Sequence, residues 1–148
     1  MNTDIKKLLN DCGLAKLTNT GVDTLIIKIK KEYNLQKFCT KELAVFLHKY
    51  NGLSVDASVA IRKSMKIYKF HGGFQISLKY ILDNKETIWG EYEYAVKNSG
   101  AQLFPIGNAF DELLCFDEEN KVYVGKMIVA KNWEEFLCKL INDEYADL

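Results

Sequence analysis

The sequence is poor in several features that often reveal a function. It has one proline and no low-complexity tract, which argues against a disordered linker. No stretch approaches the ~20 apolar residues that span a bilayer, and the first residues lack the apolar run of a signal peptide. A dense basic stripe interleaved with aromatics, as expected for nucleic-acid binding, is also missing. We therefore predict a cytoplasmic protein that binds neither membrane nor nucleic acid.

Cysteine is scarce and its spacing is irregular. Disulfide frameworks and zinc sites need clustered spacing, whereas the four cysteines are scattered and include no Cys-x-x-Cys pair. We therefore predict free thiols that are buried or partly buried, with no metal and no other cofactor. The cysteines are Cys12, Cys39, Cys115 and Cys138.

The sequence contains no recognisable set of catalytic residues. A nucleophilic site needs a base held by a third group, and the two histidines are predicted to be a helix residue, His48, and a turn residue, His71. Gly72-Gly73 is too short for a phosphate-binding loop and lacks its lysine–hydroxyl pair. We predict that the protein is not an enzyme, and a hydrolase using Cys115 and a histidine is the least favoured of three hypotheses.

What the chain does contain is material for a hydrophobic core. Its 148 residues are 48% hydrophobic, which suits one domain over 1–148. A chain of this length buries roughly 70% of its unfolded surface, so it needs neither a disulfide nor a metal to fold.

Helical periodicity is the main pattern of the first fifty residues. Thr3, Thr20 and Thr40 are predicted to begin three helices, of which the first ends at Gly13 and the third at Asn51-Gly52. Their apolar faces are Ile5, Leu8, Leu9 and Cys12; Val22, Leu25, Ile26, Ile29 and Tyr33; and Leu43, Phe46, Leu47 and Tyr50.

The middle of the chain is less regular. Met65 to Phe70 suits a strand closed by a turn at His71-Gly72-Gly73. Ser77 can cap a short helix, although Phe74 to Ile81 can also be a strand. A longer helix before Gly100 is predicted from the spacing of Tyr92, Ala95, Val96 and Ser99.

From Gln102 onwards the pattern is typical of β-strands and a final helix. Turns are predicted at Gly107-Asn108 and at Asp117–Asn120, and Asn132 with Glu135 forms a capping box for the helix. The predicted strands are 103–106, 112–116, 122–124 and 127–129. The helix has the apolar face Trp133, Phe136, Leu137, Leu140 and Ile141. We predict an α+β fold with N-terminal helices, a central, mostly antiparallel sheet and a closing C-terminal helix.

Charge is unevenly distributed although the net charge is zero. Residues 1–100 hold 16 basic and 10 acidic residues, a balance of +6, whereas residues 101–148 hold 4 and 10, a balance of −6. Two interpretations are open, namely ordinary solvated faces or an acidic surface that meets a basic partner. The candidate partner-binding residues in the second interpretation are Glu91, Glu93, Asp111, Glu112, Asp117, Glu118 and Glu119.

Three segments, taken in order, resemble the SUKH superfamily across residues 22–142. The first is a helix with a Phe-Leu pair that ends in Tyr-Asn-Gly, from Leu43 to Gly52. The second is Leu103-Phe104-Pro105-Ile106-Gly107 followed by Leu114-Cys115-Phe116-Asp117. The third is Lys121-Val122-Tyr123 followed by Trp133-Glu134-Glu135-Phe136-Leu137.

This resemblance implies a SUKH-like domain that binds another protein. The superfamily contains a yeast cell-wall assembly regulator and many bacterial toxin-immunity proteins. The leading hypothesis is an immunity protein that binds and neutralises a cognate toxin domain, such as a nuclease. The alternative is an intracellular regulatory or scaffold module whose protein partner is not a toxin.

Overall fold

The computed structural model describes residues 2–57 and 68–148, and these residues form an α+β fold, as predicted. The helices are α1 (Thr3–Asp11), α2 (Val22–Glu32), α3 (Lys41–Tyr50), α4 (Leu78–Asp83), α5 (Lys85–Ser99) and α6 (Trp133–Ile141), with a 3-10 turn at Leu14–Lys16. The strands are β1 (Ser54–Asp56), β2 (Gly73–Ile76), β3 (Phe104–Ala109), β4 (Glu112–Phe116), β5 (Val122–Val124) and β6 (Met127–Ala130).

The six strands form one antiparallel sheet whose spatial order follows the sequence from β1 to β6. Every strand therefore pairs with its neighbour in the chain, and β1 and β6 are the edges. Helix α4 contacts β3, and α5 contacts β4. These contacts place the two central helices beside the β3–β4 hairpin, where three of the candidate acidic residues lie.

The predicted turn at Gly107-Asn108 is wrong, because both residues lie inside β3 and pair with Leu114 and Leu113. A Cβ atom on Gly107 would lie 1.8 Å from the carbonyl oxygen of Gln75 on β2. The glycine therefore permits a close approach of two strands, which is a common reason for glycine within a sheet.

The actual β3–β4 turn is the two-residue connection Phe110-Asp111, since Ala109 pairs with Glu112 on either side of it. Both turn residues have positive φ, 53° and 63°. Two-residue hairpin turns of type I′ require this geometry because it matches the right-handed twist of the strands. Phenylalanine rarely adopts positive φ, which is why the sequence does not reveal the turn.

The N-cap positions of the first two helices each differ from the prediction by one residue, whereas that of the third is correct. Asn2 caps α1 in place of Thr3, since its Oδ1 accepts a hydrogen bond from the Ile5 N–H at 2.8 Å. Helix α2 starts after Gly21, which has a φ of 79°, and not at Thr20. Thr40 occupies the N-cap position of α3 as predicted, but its side chain makes no capping hydrogen bond.

The middle of the chain combines both alternatives for Phe74 to Ile81. Strand β2 continues to Ile76, and Ser77 then caps α4 by accepting a hydrogen bond from the Tyr80 N–H at 3.1 Å. The strand predicted for Met65 to Phe70 lies partly outside the described residues, and its described end, from 68 to 70, is not a strand.

The predicted apolar faces form the core, and only a few of their members, such as Leu25 and Phe46, are half-buried. The four cysteines are free. Cys39 is exposed, contrary to the prediction of buried or partly buried thiols for all four, whereas Cys115 is fully buried. Within the described ranges, no helix has both the length and the apolar character needed to cross a membrane.

Candidate functional site

Three of the seven candidate acidic residues line one cleft between α5 and the β3–β4 turn. Glu91 lies on α5, Asp111 in the turn and Glu112 at the start of β4. The cleft has a volume of about 220 Å³. We call it the acidic cleft, and its remaining lining residues are Tyr80, Ile88, Asn108 and Leu113.

Each of these three acidic residues has a distinct relation to the backbone around it. The Glu91 Oε1 atom accepts a hydrogen bond from the Leu113 backbone N–H at 2.8 Å, which ties α5 to β4. Asp111 is held in the turn at a φ of 63°. The Glu112 carboxylate lies beside the backbone of Gly125, where a Cβ atom would be 3.0 Å from its Oε1.

The acidic cleft carries only one sign of charge, since none of the described residues that line it is basic. Three acidic residues that line one cleft attract a cation, and the attraction is greater where solvent is partly excluded. In the described part of the chain, no three potential ligands stand close enough to share a metal ion. The acidic lining can receive a cationic group such as a lysine or arginine side chain.

The other acidic candidates are not in this cleft. Asp117, Glu118 and Glu119 follow the far end of β4, a five-residue strand, so they stand roughly 17 Å from Glu112 at about 3.4 Å per residue. Glu93 is two residues from Glu91 on the same helix, a spacing that points the two side chains in different directions. It lines a separate groove beside Tyr92 and Lys97.

Asp117 has a role inside the chain. Its carboxylate is buried and accepts hydrogen bonds from the backbone N–H groups of Glu119 and Lys121, both at 2.9 Å. It also accepts one from the Tyr123 hydroxyl at 3.1 Å, and burial together with Asp117 raises the pKa of Tyr123 to about 12. The Asp117 carboxylate is thus occupied in organising the β4–β5 turn, whereas Glu118 and Glu119 are exposed.

The hydrolase hypothesis requires a contact between Cys115 and a histidine, but each histidine contacts an aspartate. Cys115 has no exposed surface, and burial followed by the nearby charge of Glu91 raises the pKa of its thiol. The exposed His48 lies 2.9 Å from Asp23, and His71 lies 3.0 Å from Asp143. A buried thiol with a raised pKa is a poor nucleophile, so the structure gives this hypothesis no support.

Sequence reasoning misses two polar members of the acidic cleft, Tyr80 and Asn108. The sequence places Asn108 in a turn, although it lies directly opposite Leu113 in the sheet. A two-residue turn at Phe110-Asp111 would predict that pairing by counting outward along both strands. Tyr80 follows the Ser77 cap, but its proximity to β4 depends on tertiary packing and has no local signal.

No protein-family model matches the chain, and no match is found among the curated proteins or the solved structures.

Proposed function

We propose that this chain is a protein-binding module of the SUKH type that neutralises a cognate toxin domain, with the acidic cleft as the centre of its interface. The observation that carries the proposal is the grouping of Glu91, Asp111 and Glu112 around one cleft without a lining cation among the described residues. A basic groove, such as one that binds nucleic acid in a nuclease, is the complementary partner surface.

The three segments that resemble the superfamily support this proposal because they meet in space. Each contributes one ring to a cluster formed by Phe46, Phe116 and Trp133. The ring centroids are 4.8 Å apart for Phe46 and Phe116, 5.0 Å for Phe46 and Trp133, and 5.9 Å for Phe116 and Trp133. Segments far apart in sequence that share one packing cluster are expected if the pattern describes a fold.

The acidic cleft is small relative to a whole interface. A standard protein interface covers roughly 800 Å² on each partner. The cleft therefore acts as an anchor that receives one or two basic side chains, while the surrounding surface excludes water. Exposed Tyr94 on α5 and Met127 and Ile128 on β6, all more than half exposed, add apolar contact area on neighbouring elements.

Neutralisation of the cleft tests the proposal directly. We expect the triple variant Glu91→Gln, Asp111→Asn and Glu112→Gln to weaken toxin binding at least about tenfold, mainly by slowing association. Glutamine at 91 can still accept the Leu113 hydrogen bond, and asparagine tolerates positive φ, so the melting temperature should change little. The binding partner is the C-terminal domain encoded by the gene immediately upstream, and its association rate and affinity are measured by surface plasmon resonance at two salt concentrations.

A control variant removes two carboxylate charges from a part of the surface outside the acidic cleft. Glu118→Gln with Glu119→Gln alters two exposed carboxylates at the far end of β4 and should leave affinity nearly unchanged. Asp117 is left intact because its removal would disturb the turn. Equal toxin affinity of the triple variant and the wild type would show that the acidic cleft does not contribute to toxin binding. Absence of toxicity, or toxicity that this protein does not relieve, would instead favour the regulatory or scaffold alternative.

A further inference from the structure

A second cleft lies between α1, the 3-10 turn and the C-terminal end of α3. It shares no lining residue with the acidic cleft. Its volume is about 540 Å³, which falls within the range of about 300–1,000 Å³ typical of small-molecule sites. We call it the leucine cleft, after the residues of its floor.

The floor of the leucine cleft is aliphatic. Leu9 on α1 is 2% exposed and belongs to the core, while Leu14 and Leu17 are half-buried and pack against that core. Ala15 lies between them in the sequence and also lines the cleft, as does the polar Asn10. Flexible alkyl chains fit such a surface, because none of these floor residues offers an aromatic ring on which a flat ligand could stack.

Local chain geometry fixes the walls of this cleft. Gly13 has a φ of 90° and turns the chain from α1 into the 3-10 turn. Farther along, the Asn19 side-chain amide donates to the carbonyl oxygens of His48 and Asn51 at 3.1 and 3.0 Å. These hydrogen bonds hold the segment against the end of α3, so contacts within the chain keep the walls in place.

The rim of the leucine cleft is basic. Lys6 and Lys49 stand at its edge with His48, and no carboxylate is among the described lining residues. Asp23, which is hydrogen-bonded to His48, lies outside the lining. The Lys49 ammonium lies 5.3 Å from the Tyr50 ring centroid, a cation–π contact that does not neutralise its charge.

The larger groove between α2 and α5 provides a contrast. Its volume is about 1,220 Å³, but its lysines are interspersed with Glu32, Asp83 and Glu86. Lys85 in that groove is already 3.2 Å from Glu32. Mixed charge selects no particular ligand, whereas an aliphatic floor with a rim of one sign selects for both parts of an amphiphile.

We propose that the leucine cleft binds a small anionic amphiphile, namely a carboxylate with an unbranched aliphatic chain. The chain lies on Leu9, Leu14 and Leu17, and the carboxylate lies at the rim formed by Lys6 and Lys49. Apolar burial supplies most of the affinity, and charge selects the anion over a cation of equal chain length. This inference is independent of the proposed toxin-binding function, because the two sites use different residues.

Titration of the full-length, ¹⁵N-labelled protein with sodium decanoate tests the inference. We expect amide chemical-shift changes concentrated at Leu9 to Leu17 and at His48-Lys49, with saturation below the concentration at which decanoate forms micelles. Nonyltrimethylammonium has the same nine-carbon alkyl chain as decanoate and the opposite charge, and it should bind at least about tenfold more weakly. Equal binding of the two probes, or shifts centred on Trp89 in the larger groove, would overturn the proposal.

Two kinds of variant test the inference further: one reverses the charges of the rim, and the other fills the cleft with a larger side chain. Lys6→Glu with Lys49→Glu should weaken decanoate binding at least about tenfold, whereas Lys7→Glu, a charge reversal on the same helix outside the lining, should not. Ala15→Trp should block the cleft while the apo spectrum elsewhere stays unchanged. Unaltered affinity in both cleft variants would refute the assignment. Shifts at the cleft with an acidic, leucine-containing peptide but none with decanoate would overturn it in favour of a protein-docking surface.

Discussion

At Gly107, a single added carbon atom would collide with the neighbouring strand. The added Cβ would lie 1.8 Å from the Gln75 oxygen and 3.0 Å from the Ile76 Cα, both of which are backbone atoms that cannot rotate away. We expect Gly107→Ala to lower the free energy of unfolding by at least about 3 kcal/mol, because β2 and β3 must separate to admit the methyl group. Chemical denaturation measures the change.

Gly90 is the matched control for Gly107. It lies within α5, and a Cβ atom added to it would meet no atom of the other described elements within 4 Å. Gly90→Ala should therefore stabilise the protein, by up to about 1 kcal/mol, since alanine loses less backbone entropy in a helix. A comparable loss of stability in both variants would show that the β2–β3 contact is not the cause.

The cysteines differ in reactivity because their surroundings differ. Cys39 is exposed, whereas Cys115 is fully buried and burial raises the pKa of its thiol. We expect iodoacetamide at pH 8 to alkylate Cys39 first and to leave Cys115 unmodified until the protein is denatured. Peptide mapping by mass spectrometry determines the order of alkylation, and Cys39→Ser should remove the fast phase of the alkylation reaction. Rapid labelling of Cys115 in the folded protein would contradict the packing of β4.

At the scale of single elements, the contribution of a helix cap depends on whether its side chain makes the capping bond. The Asn132 Oδ1 atom accepts from the Glu135 N–H at 2.8 Å at the start of α6, whereas Thr40 makes no such bond at the start of α3. Asn132→Ala should cost about 1 kcal/mol of unfolding free energy, and Thr40→Ala only a few tenths. Thermal denaturation of the two variants distinguishes them, and equal losses would contradict this account.

The elements differ in how far the sequence determines them. The caps at Ser77 and Asn132 can be predicted from the sequence because a cap acts within three residues. The place of Gly107 in a strand cannot, because its reason for being glycine is the Gln75 carbonyl, more than thirty residues away. Asp117 does carry a local signal, since an aspartate that bonds the backbone two residues on is a common turn former.

The candidate site shows the same division between local and long-range information. Charge alone selects Glu91, Asp111 and Glu112 as acidic residues, but their grouping depends on the contact between α5 and β4, which are separated by more than ten residues of chain. The same criterion selects Asp117, Glu118, Glu119 and Glu93, which lie elsewhere. Composition therefore predicts which charged residues are present, and only the packed fold decides which of them lie around one cleft.

At the scale of the whole molecule, hydrogen bonds between Asp143 and His71 join the segment after α6 to the residues before β2. Asp143 accepts hydrogen bonds from the His71 backbone N–H at 2.9 Å and from its imidazole Nδ1 at 3.0 Å. These two bonds lower the pKa of Asp143 below its usual value of 3.8. The residue has a φ of 57°, a conformation that asparagine also tolerates, so Asp143→Asn removes the charge without forcing the backbone to change.

The lowered pKa determines how the stability of the protein depends on pH. The folded state holds the Asp143 proton less tightly than the unfolded chain, so the charged carboxylate stabilises the fold above the unfolded pKa. That contribution is lost as the pH falls through the lower pKa of the folded state.

The free energy of unfolding of the wild-type protein should therefore be larger than that of Asp143→Asn at pH 7, and the difference should shrink steadily below about pH 4. Urea denaturation across this range measures it, with Asp147→Asn, a change at an exposed carboxylate, as the control. A difference that stays constant from about pH 7 to about pH 2.5 would show that the hydrogen-bond geometry, and not the charge, holds the two segments together.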